Sequence, residues 1–511
     1  MKAAERVIFN TGVLYVRLII VMAIGLFTTR IVLDALGEVN YGIYTLVAGV
    51  VGMLAVLKSA MSSTSMRFMS HSLGSGDEEL ISKTFNTTLF LHFVIGLGIV
   101  LFIEIGGYFM FKYFLEIPAD KVFDAKVVFH FMALTTFIAI IAVPYDAVIN
   151  SHENLLALSI VDIIGAVLKL GVALYLTITD FNLLILYGIG VFLVQLIMRI
   201  IKQQYSVRKY KECKINIKHT RDKSLSKEIM AFSGWNLFGS IASMSVTQVR
   251  SILLNMFFGV KINASEGIAK TASGQVNTVS VSLTRAINPQ LVKSEGGGDR
   301  KKMLFITTMA TKFSVFLFAL IAIPVIIELP YLLNIWLKDV PEYAVVFARL
   351  TLISLLISKF TFEITNAIRA VGRIKEFQVV ETIILVINIP ITYTLFKLDY
   401  PPETIYFVAI FLSLITSLYR LYIGNKIASL NIKEFIKKGI LPTFLPILIA
   451  ILTGVFVQLL IENELIRFIT AFSLSILTML ISIRFIGLNK YELEKINSLV
   501  HTAKQKLFKN G

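Results

Sequence analysis

Ile440-Leu-Pro-Thr-Phe-Leu-Pro-Ile-Leu-Ile-Ala-Ile-Leu-Thr-Gly-Val-Phe-Val-Gln-Leu-Leu-Ile461 carries no charge between Lys438 and Glu462. At about 1.5 Å of rise per residue, a helix of this length covers the roughly 30 Å hydrocarbon core of a bilayer. Comparable runs recur along the whole 511-residue chain, and 56% of its residues are hydrophobic, more than a water-soluble chain of this size can enclose. The runs are continuous and rich in Leu, Ile and Val, without the dyad alternation of a membrane β-barrel. The expectation is an all-α polytopic membrane protein with about 14 transmembrane helices. They begin near Thr11, Tyr41, Thr84, Lys126, Asn154, Phe181, Met230, Lys261, Met303, Glu342, Lys375, Glu403, Ile440 and Leu465.

These spans sort the charges. One set of connections holds few basic residues, among them Arg30, Lys112, Lys121, Lys126, Lys338 and Lys397. The other holds blocks at Lys202 to Lys227, Arg285 to Lys302, Arg369 to Lys375, Arg420 to Lys438 and Arg484 to Lys509. The positive-inside rule then puts both termini in the cytoplasm. The net charge of +16 is split among short loops instead of forming one basic domain, which argues against nucleic acid as a partner. From Leu488 to Phe508, Leu493, Ile496, Val500, Ala503 and Leu507 share one helical face, as in a helix lying on the inner leaflet. The single cysteine, Cys213, has no disulfide partner. No small-residue cleavage site follows the first apolar run, so that run is read as a retained helix.

The chain resembles itself at an offset of about 222 residues. Phe9-Asn10-Thr11-Gly12 matches Phe232-Ser233-Gly234, and Ser72-Leu-Gly-Ser-Gly-Asp77 matches Ser294-Glu-Gly-Gly-Gly-Asp299. Val161-Asp162 falls on Val380-Glu381, and Lys169 on Asn388. Two parallel six-helix repeats around a central cavity follow, with a pseudo-two-fold axis along the membrane normal and two extra C-terminal helices. The expected divisions are a bundle over 1–206, a basic cytoplasmic linker over 207–228, and a second bundle over 229–430. Two further helices over 431–487 and an amphipathic tail over 488–511 complete the chain.

Tyr15-Val-Arg17 and Thr29-Arg30-Ile-Val-Leu-Asp-Ala-Leu-Gly37-Glu-Val-Asn-Tyr41-Gly42-Ile-Tyr44 resemble the first helix and turn of bacterial polysaccharide flippases of the O-antigen type. These belong to the multidrug, oligosaccharidyl-lipid and polysaccharide exporter superfamily. Pro144-Tyr-Asp-Ala-Val-Ile-Asn-Ser-His-Glu153 and Asn334-Ile-Trp336-Leu-Lys-Asp-Val-Pro341-Glu-Tyr343 resemble later segments of the family. The resemblance implies a multi-pass protein of the bacterial cytoplasmic membrane that works by alternating access, driven by an ion gradient (H+ or Na+) or the membrane potential. It also implies a lipid-linked oligosaccharide as substrate, contact with membrane lipid, and polysaccharide-assembly proteins as partners.

The seventh and eighth spans are unusually polar. Asn236, Ser240, Ser243, Thr247 and Arg250 follow helical spacing on one face, as do Asn263, Glu266, Lys270, Ser273, Asn277, Ser280 and Thr284, with Arg285 near the inner end. Each charge at the bilayer centre costs at least about 2.5 kcal/mol, so these faces line a cavity or pack on another polar helix. With Arg17, Lys58 and Arg67 of the first half, Arg250, Lys270 and Arg285 form a candidate cationic chamber for a diphosphate, which guanidinium and ammonium groups bind well. The blander alternative has Arg17, Arg67 and Arg285 reaching the cytoplasmic interface and Glu266 with Lys270 forming an i,i+4 pair. Candidates for ion coupling are Glu104, Asp162, Glu266, Glu363 and Glu381. Asp162 and Lys169, two turns apart, are a candidate pair, as are Arg30 and Asp34; Trp336 and Tyr343 suit an interfacial belt.

No phosphate loop of the G-x-x-x-x-G-K-[ST] type occurs, and Gly296-Gly-Gly298 reads as a turn. Six scattered histidines offer no metal-ligand spacing, and no cofactor is expected. The expected function is therefore not enzymatic: a flippase that moves polyprenyl-pyrophosphate-linked oligosaccharide across the bilayer for surface polysaccharide or lipopolysaccharide biosynthesis. The alternatives are a multidrug or cation antiporter of the same fold, an integral-membrane polymerase or glycosyltransferase, and a membrane scaffold.

Overall fold

The computed structural model describes residues 3–52, 55–113, 117–216, 222–337, 340–490 and 492–494. The amphipathic face read over 488–511 lies almost wholly outside them, as does Lys338.

Helices follow the apolar runs because only a helix bonds every backbone N–H and C=O within its own segment. They are α1 (Ala3–Gly52), α2 (Ala55–Ser75), α3 (Glu78–Tyr113), α4 (Val122–Ile141), α5 (Val143–Ser151), α6 (Leu155–Leu176) and α7 (Leu183–Lys209). Next come α8 (Lys223–Phe258), α9 (Val260–Gly296), α10 (Arg300–Ile327), α11 (Leu329–Trp336), α12 (Ala344–Val371) and α13 (Lys375–Val386). The last are α14 (Asn388–Lys397), α15 (Thr404–Ala428), α16 (Ile432–Phe435), α17 (Leu441–Leu460) and α18 (Glu464–Ser482). Among the described residues there is no strand.

Among the described residues, twelve helical segments are long and apolar enough to cross a membrane. Neither α2 nor α9 is among them, and these coincide with the second and eighth of the fourteen expected spans. The physical reason is shared: α2 carries Lys58, Ser62, Ser63, Ser65 and Arg67, and α9 carries Glu266, Lys270, Ser273 and Asn277, so hydropathy fails where polar faces begin.

The internal repeat reappears in the backbone. Gly37 (φ 71°) and Gly259 (φ 81°) both turn the chain in a conformation that disfavours any Cβ, and so do Gly76 (φ 73°) and Gly298 (φ 78°). Both pairs are about 222 residues apart. Asp77 and Asp299 then cap α3 and α10 by accepting from Leu80 N and Lys302 N. Helices open at Glu78 and Arg300, Val122 and Ala344, Leu155 and Lys375, and Leu183 and Thr404 with nearly the same spacing.

Two compact units divide the chain. The first comprises Arg6–Ser240 with Val292–Gly298, and the second chiefly Ile241–Leu291 with Asp299 onward. In the first, α3 packs on α4, α4 on α7 and α2 on α5, around Ile99, Val128, Phe129, Met132 and Leu184. In the second, α12 packs on α10 and α15, while the two added helices α17 and α18 lie on α10 through Phe316, Ile323, Ile447 and Met479. Leu459 is 80% exposed and Leu101, Phe102 and Leu418 are also largely bare. Each such side chain is worth about 1.5 to 3 kcal/mol when removed from water, which is why they face lipid tails.

Candidate functional site

In the second unit, Gly259 ends α8 and α9 begins at once, so Arg250, nine residues before the turn, meets Glu266, seven after it. Glu266 is 2% exposed. Its Oε1 accepts from Arg250 Nε at 3.1 Å and pairs with Lys270 Nζ at 3.0 Å. Lys270 Nζ also donates to Ser251 Oγ at 3.0 Å, and the Arg250 guanidinium lies 4.8 Å over the Tyr406 ring. Two cations thus share one buried carboxylate, leaving one positive charge over. The i,i+4 pair of Glu266 with Lys270 is present, with Arg250 added to it. Tyr406, about 140 residues further on, left no signal in the local sequence.

The first unit holds a more open charge site. Arg17 meets Asp162 at 2.7 Å, each side chain 25% exposed, so Asp162 takes Arg17 as its partner in place of the expected Lys169. Lys202 meets Asp146 at 2.7 Å. Lys58 is exposed on α2, within the fields of Asp146, Asp162, Lys169 and Lys202. Glu381, the repeat counterpart of Asp162, is paired instead with Arg420, whose Nε donates to it at 2.9 Å. Arg30 and Asp34 stand 4.0 Å apart on an exposed face.

A third cluster joins the ends of α2 and α9 within the first unit. A Cβ on Gly74 would lie 2.1 Å from the Lys293 carbonyl oxygen, and one on Gly296 would lie 2.0 Å from that of His71. His71 and Lys293, like Gly74 and Gly296, are repeat counterparts, so the crossing is itself pseudo-symmetric. Around it, Lys293 Nζ donates to Glu153 Oε1 at 2.9 Å and Asn10 Nδ2 to the Glu153 carbonyl at 2.9 Å. Arg67 is buried here, 4.6 Å over Phe68 and 4.8 Å over Phe232, with Glu228 at 3.9 Å. Asn236 donates to Thr64 Oγ1 at 3.2 Å.

The remaining polar candidates divide by what they bond. The Ser240 and Thr247 hydroxyls return to the carbonyls of Asn236 and Ser243, and Ser273 bonds the Ala269 carbonyl, spending their polarity on their own helices. Ser243 and Arg285 are exposed. Asn277 Oδ1 is buried with no donor among the described residues, and the side chain of Asn263 lies outside the described ones. Glu363 is buried and accepts from neutral donors, Thr284 Oγ1 at 2.6 Å and Asn366 Nδ2 at 2.8 Å. A buried ion pair that local pattern gave no hint of joins Lys312 of α10 to Glu492 at 2.7 Å.

Outside the spans, His152, between α5 and α6, meets the segment after α7: its Nε2 is 2.6 Å from Glu212 Oε1 and its ring stacks on Tyr210. Burial pushes the Tyr210 hydroxyl up to about 12 and the Cys213 thiol above its ordinary range. Burial also acts to raise Glu212, but the His152 hydrogen bond and a backbone bond outweigh it and leave that carboxyl below its usual value.

A family model described as MatE matches residues 14–175, about a third of the chain. No curated protein sequence matches it. Among solved structures, a multidrug resistance MATE family transporter of the MOP superfamily, outward-facing, is similar with TM-score 0.71 at 12% identity, covering 84% of this chain and 98% of that one. A MATE protein in a bent conformation gives TM-score 0.73 at 12% identity, with 85% and 99% covered. A MOP superfamily transporter from Pyrococcus furiosus, described by a binding pocket of reverse polarity that suggests a different function, gives 0.69 at 12% identity, with 85% and 99% covered. These likenesses give the chain a MATE-like, all-helical membrane fold.

Proposed function

We propose that the chain is a transporter working by alternating access, and that its cargo is a polyprenyl-pyrophosphate-linked oligosaccharide carried from the cytoplasmic to the outer leaflet. The observation that carries this reading is the surplus of cation over carboxylate at the Arg250, Glu266 and Lys270 cluster. Guanidinium binds phosphate oxygens in pairs, and an ammonium supplies a mobile charge. An arriving diphosphate can take over the cations that Glu266 holds in its absence, so binding exchanges one anion for another in place of burying a bare charge. The exposed Lys58 supports the same polarity in the first unit. A headgroup carrying about two negative charges would gain roughly 4 to 5 kcal/mol on leaving a compartment about 100 mV negative, enough to drive export. This reading has both termini in the bacterial cytoplasm, a coupling ion (H+ or Na+) as an optional participant, and polysaccharide-assembly proteins as recipients.

A second reading, multidrug export, draws on the buried Glu266 carboxylate beside the Tyr406 ring, which would suit a cationic aromatic. The two are separated by cargo. In proteoliposomes, a fluorescent lipid-linked oligosaccharide and a cationic dye are offered in turn. Flipping of the lipid without export of the dye supports the first reading; dye export without flipping replaces it by the second.

A further inference from the structure

The outer flank of α3 and α4 encloses a cavity of about 530 Å³, lined by Glu104, Tyr108, Lys112, Lys126, Phe129 and His130. Part of its wall is polar: His130 Nδ1 and Glu104 Oε2 are 2.8 Å apart, with both side chains partly exposed. Gly107 shapes it, since a Cβ there would come 2.3 Å from the Phe129 ring. At its mouth, Lys112 Nζ lies 5.8 Å over Tyr108 and 5.1 Å over Tyr113.

Depth makes the arrangement informative. Glu104 lies nine residues before the end of α3 and His130 eight after the start of α4, so both sit about 12 to 13 Å inside the helix ends. Leu101, Phe102 and Ile105 on the same stretch of α3 are largely exposed, an apolar flank suited to acyl chains. The polar pair thus lies beside an apolar flank, with the two lysines toward the helix ends, an amphipathic arrangement that a lipid headgroup and its chains would match. Two lysines against one carboxylate leave one positive charge among these residues, which matches a phosphodiester monoanion.

We infer that this cavity holds one anionic glycerophospholipid. Its phosphodiester lies on Lys112 and Lys126, its ester region lies on His130, which Glu104 fixes through Nδ1, and its acyl chains run along Leu101, Phe102 and Ile105. Placement in the outer leaflet rests on the orientation proposed above; binding itself does not.

The test is native mass spectrometry of the full-length protein in detergent, titrated with phosphatidylglycerol. The native chain should retain one tightly held lipid. The double variant Lys112→Gln with Lys126→Gln should bind about thirtyfold more weakly, as expected for losing two interfacial lysines, and Lys126→Gln alone should fall between. Both lysines are exposed, and an unfolding temperature measured without lipid checks the fold. Lys397→Gln with Lys433→Gln, a matched loss of exposed charge elsewhere, should leave binding unchanged. Equal weakening by that control, equal binding of phosphatidylcholine, or native affinity in the double variant overturns the site. Displacement by glycerol 3-phosphate at the lipid's own concentration would reassign it to soluble phosphate. Because no transport is read, failure of the flippase reading would leave this result standing.

Discussion

The two units answer the problem of intramembrane charge differently. In the first, Arg17 and Asp162 form a one-to-one pair with a quarter of each side chain exposed. In the second, Glu266 is 2% exposed and shared by Arg250 and Lys270. A pair that is a quarter exposed on each side can open at modest cost, because water reaches each partner. A buried carboxylate under two cations cannot open unless another anion takes its place. On the proposed function, the second site is the one that an anionic cargo would rearrange, and the first is the one more open to water and small ions.

The largest effect expected from this contrast is on stability. Glu266→Ala removes a buried carboxylate from between two partly exposed cations and should cost about 1.5 to 3 kcal/mol, whereas Asp162→Ala should cost no more than about 1 kcal/mol. Thermal unfolding in detergent reads both, and equal losses would erase the distinction between the units.

The crossing of α2 and α9 sharpens the comparison, because each repeat contributes the same element to it. Gly74→Ala and Gly296→Ala should each lower stability by about 1 to 3 kcal/mol, since backbone must move to admit the methyl. Gly12 and Gly234 have open space around a Cβ, and alanine there should be neutral or slightly stabilising. A disulfide trapped between His71→Cys and Lys293→Cys in the native background, and lost on Gly74→Ala, would show that the glycines hold the crossing. A trapped disulfide unaffected by the methyl would show that they do not.

The smallest effect concerns a residue outside both sites. Cys213 is buried and its thiol is pushed up, so the thiolate that reacts is scarce at neutral pH. A maleimide at pH 7.5 should leave it unlabelled until the protein is unfolded; rapid labelling would mean that the segment after α7 opens readily.

Much of the architecture is written locally. Apolar runs such as Ile440 to Ile461 need no tertiary information to be read as helices, and the matched Gly-Asp turns before α3 and α10 carry the repeat. Hydropathy gives out at α2 and α9, where Lys58, Arg67, Glu266 and Lys270 lower the apolar character of the helix. Partners are less legible still. Helical spacing puts Glu266 beside Lys270, but Arg250 joins them only through the turn at Gly259, and Tyr406 only through packing of distant helices. Asp162 chose Arg17 across most of the first unit over Lys169 two turns away, and Lys312 meets Glu492 across 180 residues. A one-dimensional period records which face a charge occupies, not which charge will stand opposite.

The most direct test of the central claim is the flipping rate of a fluorescent undecaprenyl-pyrophosphate oligosaccharide in proteoliposomes. It is measured for the native chain, Arg250→Ala and Lys270→Ala at matched reconstitution and matched unfolding temperature. The account predicts flipping by the native chain, faster under an inside-negative potential, and a loss of about tenfold or more in each variant, the equivalent of one charge-assisted contact. Native rates in both variants would remove the cationic cluster from the mechanism and contradict the account.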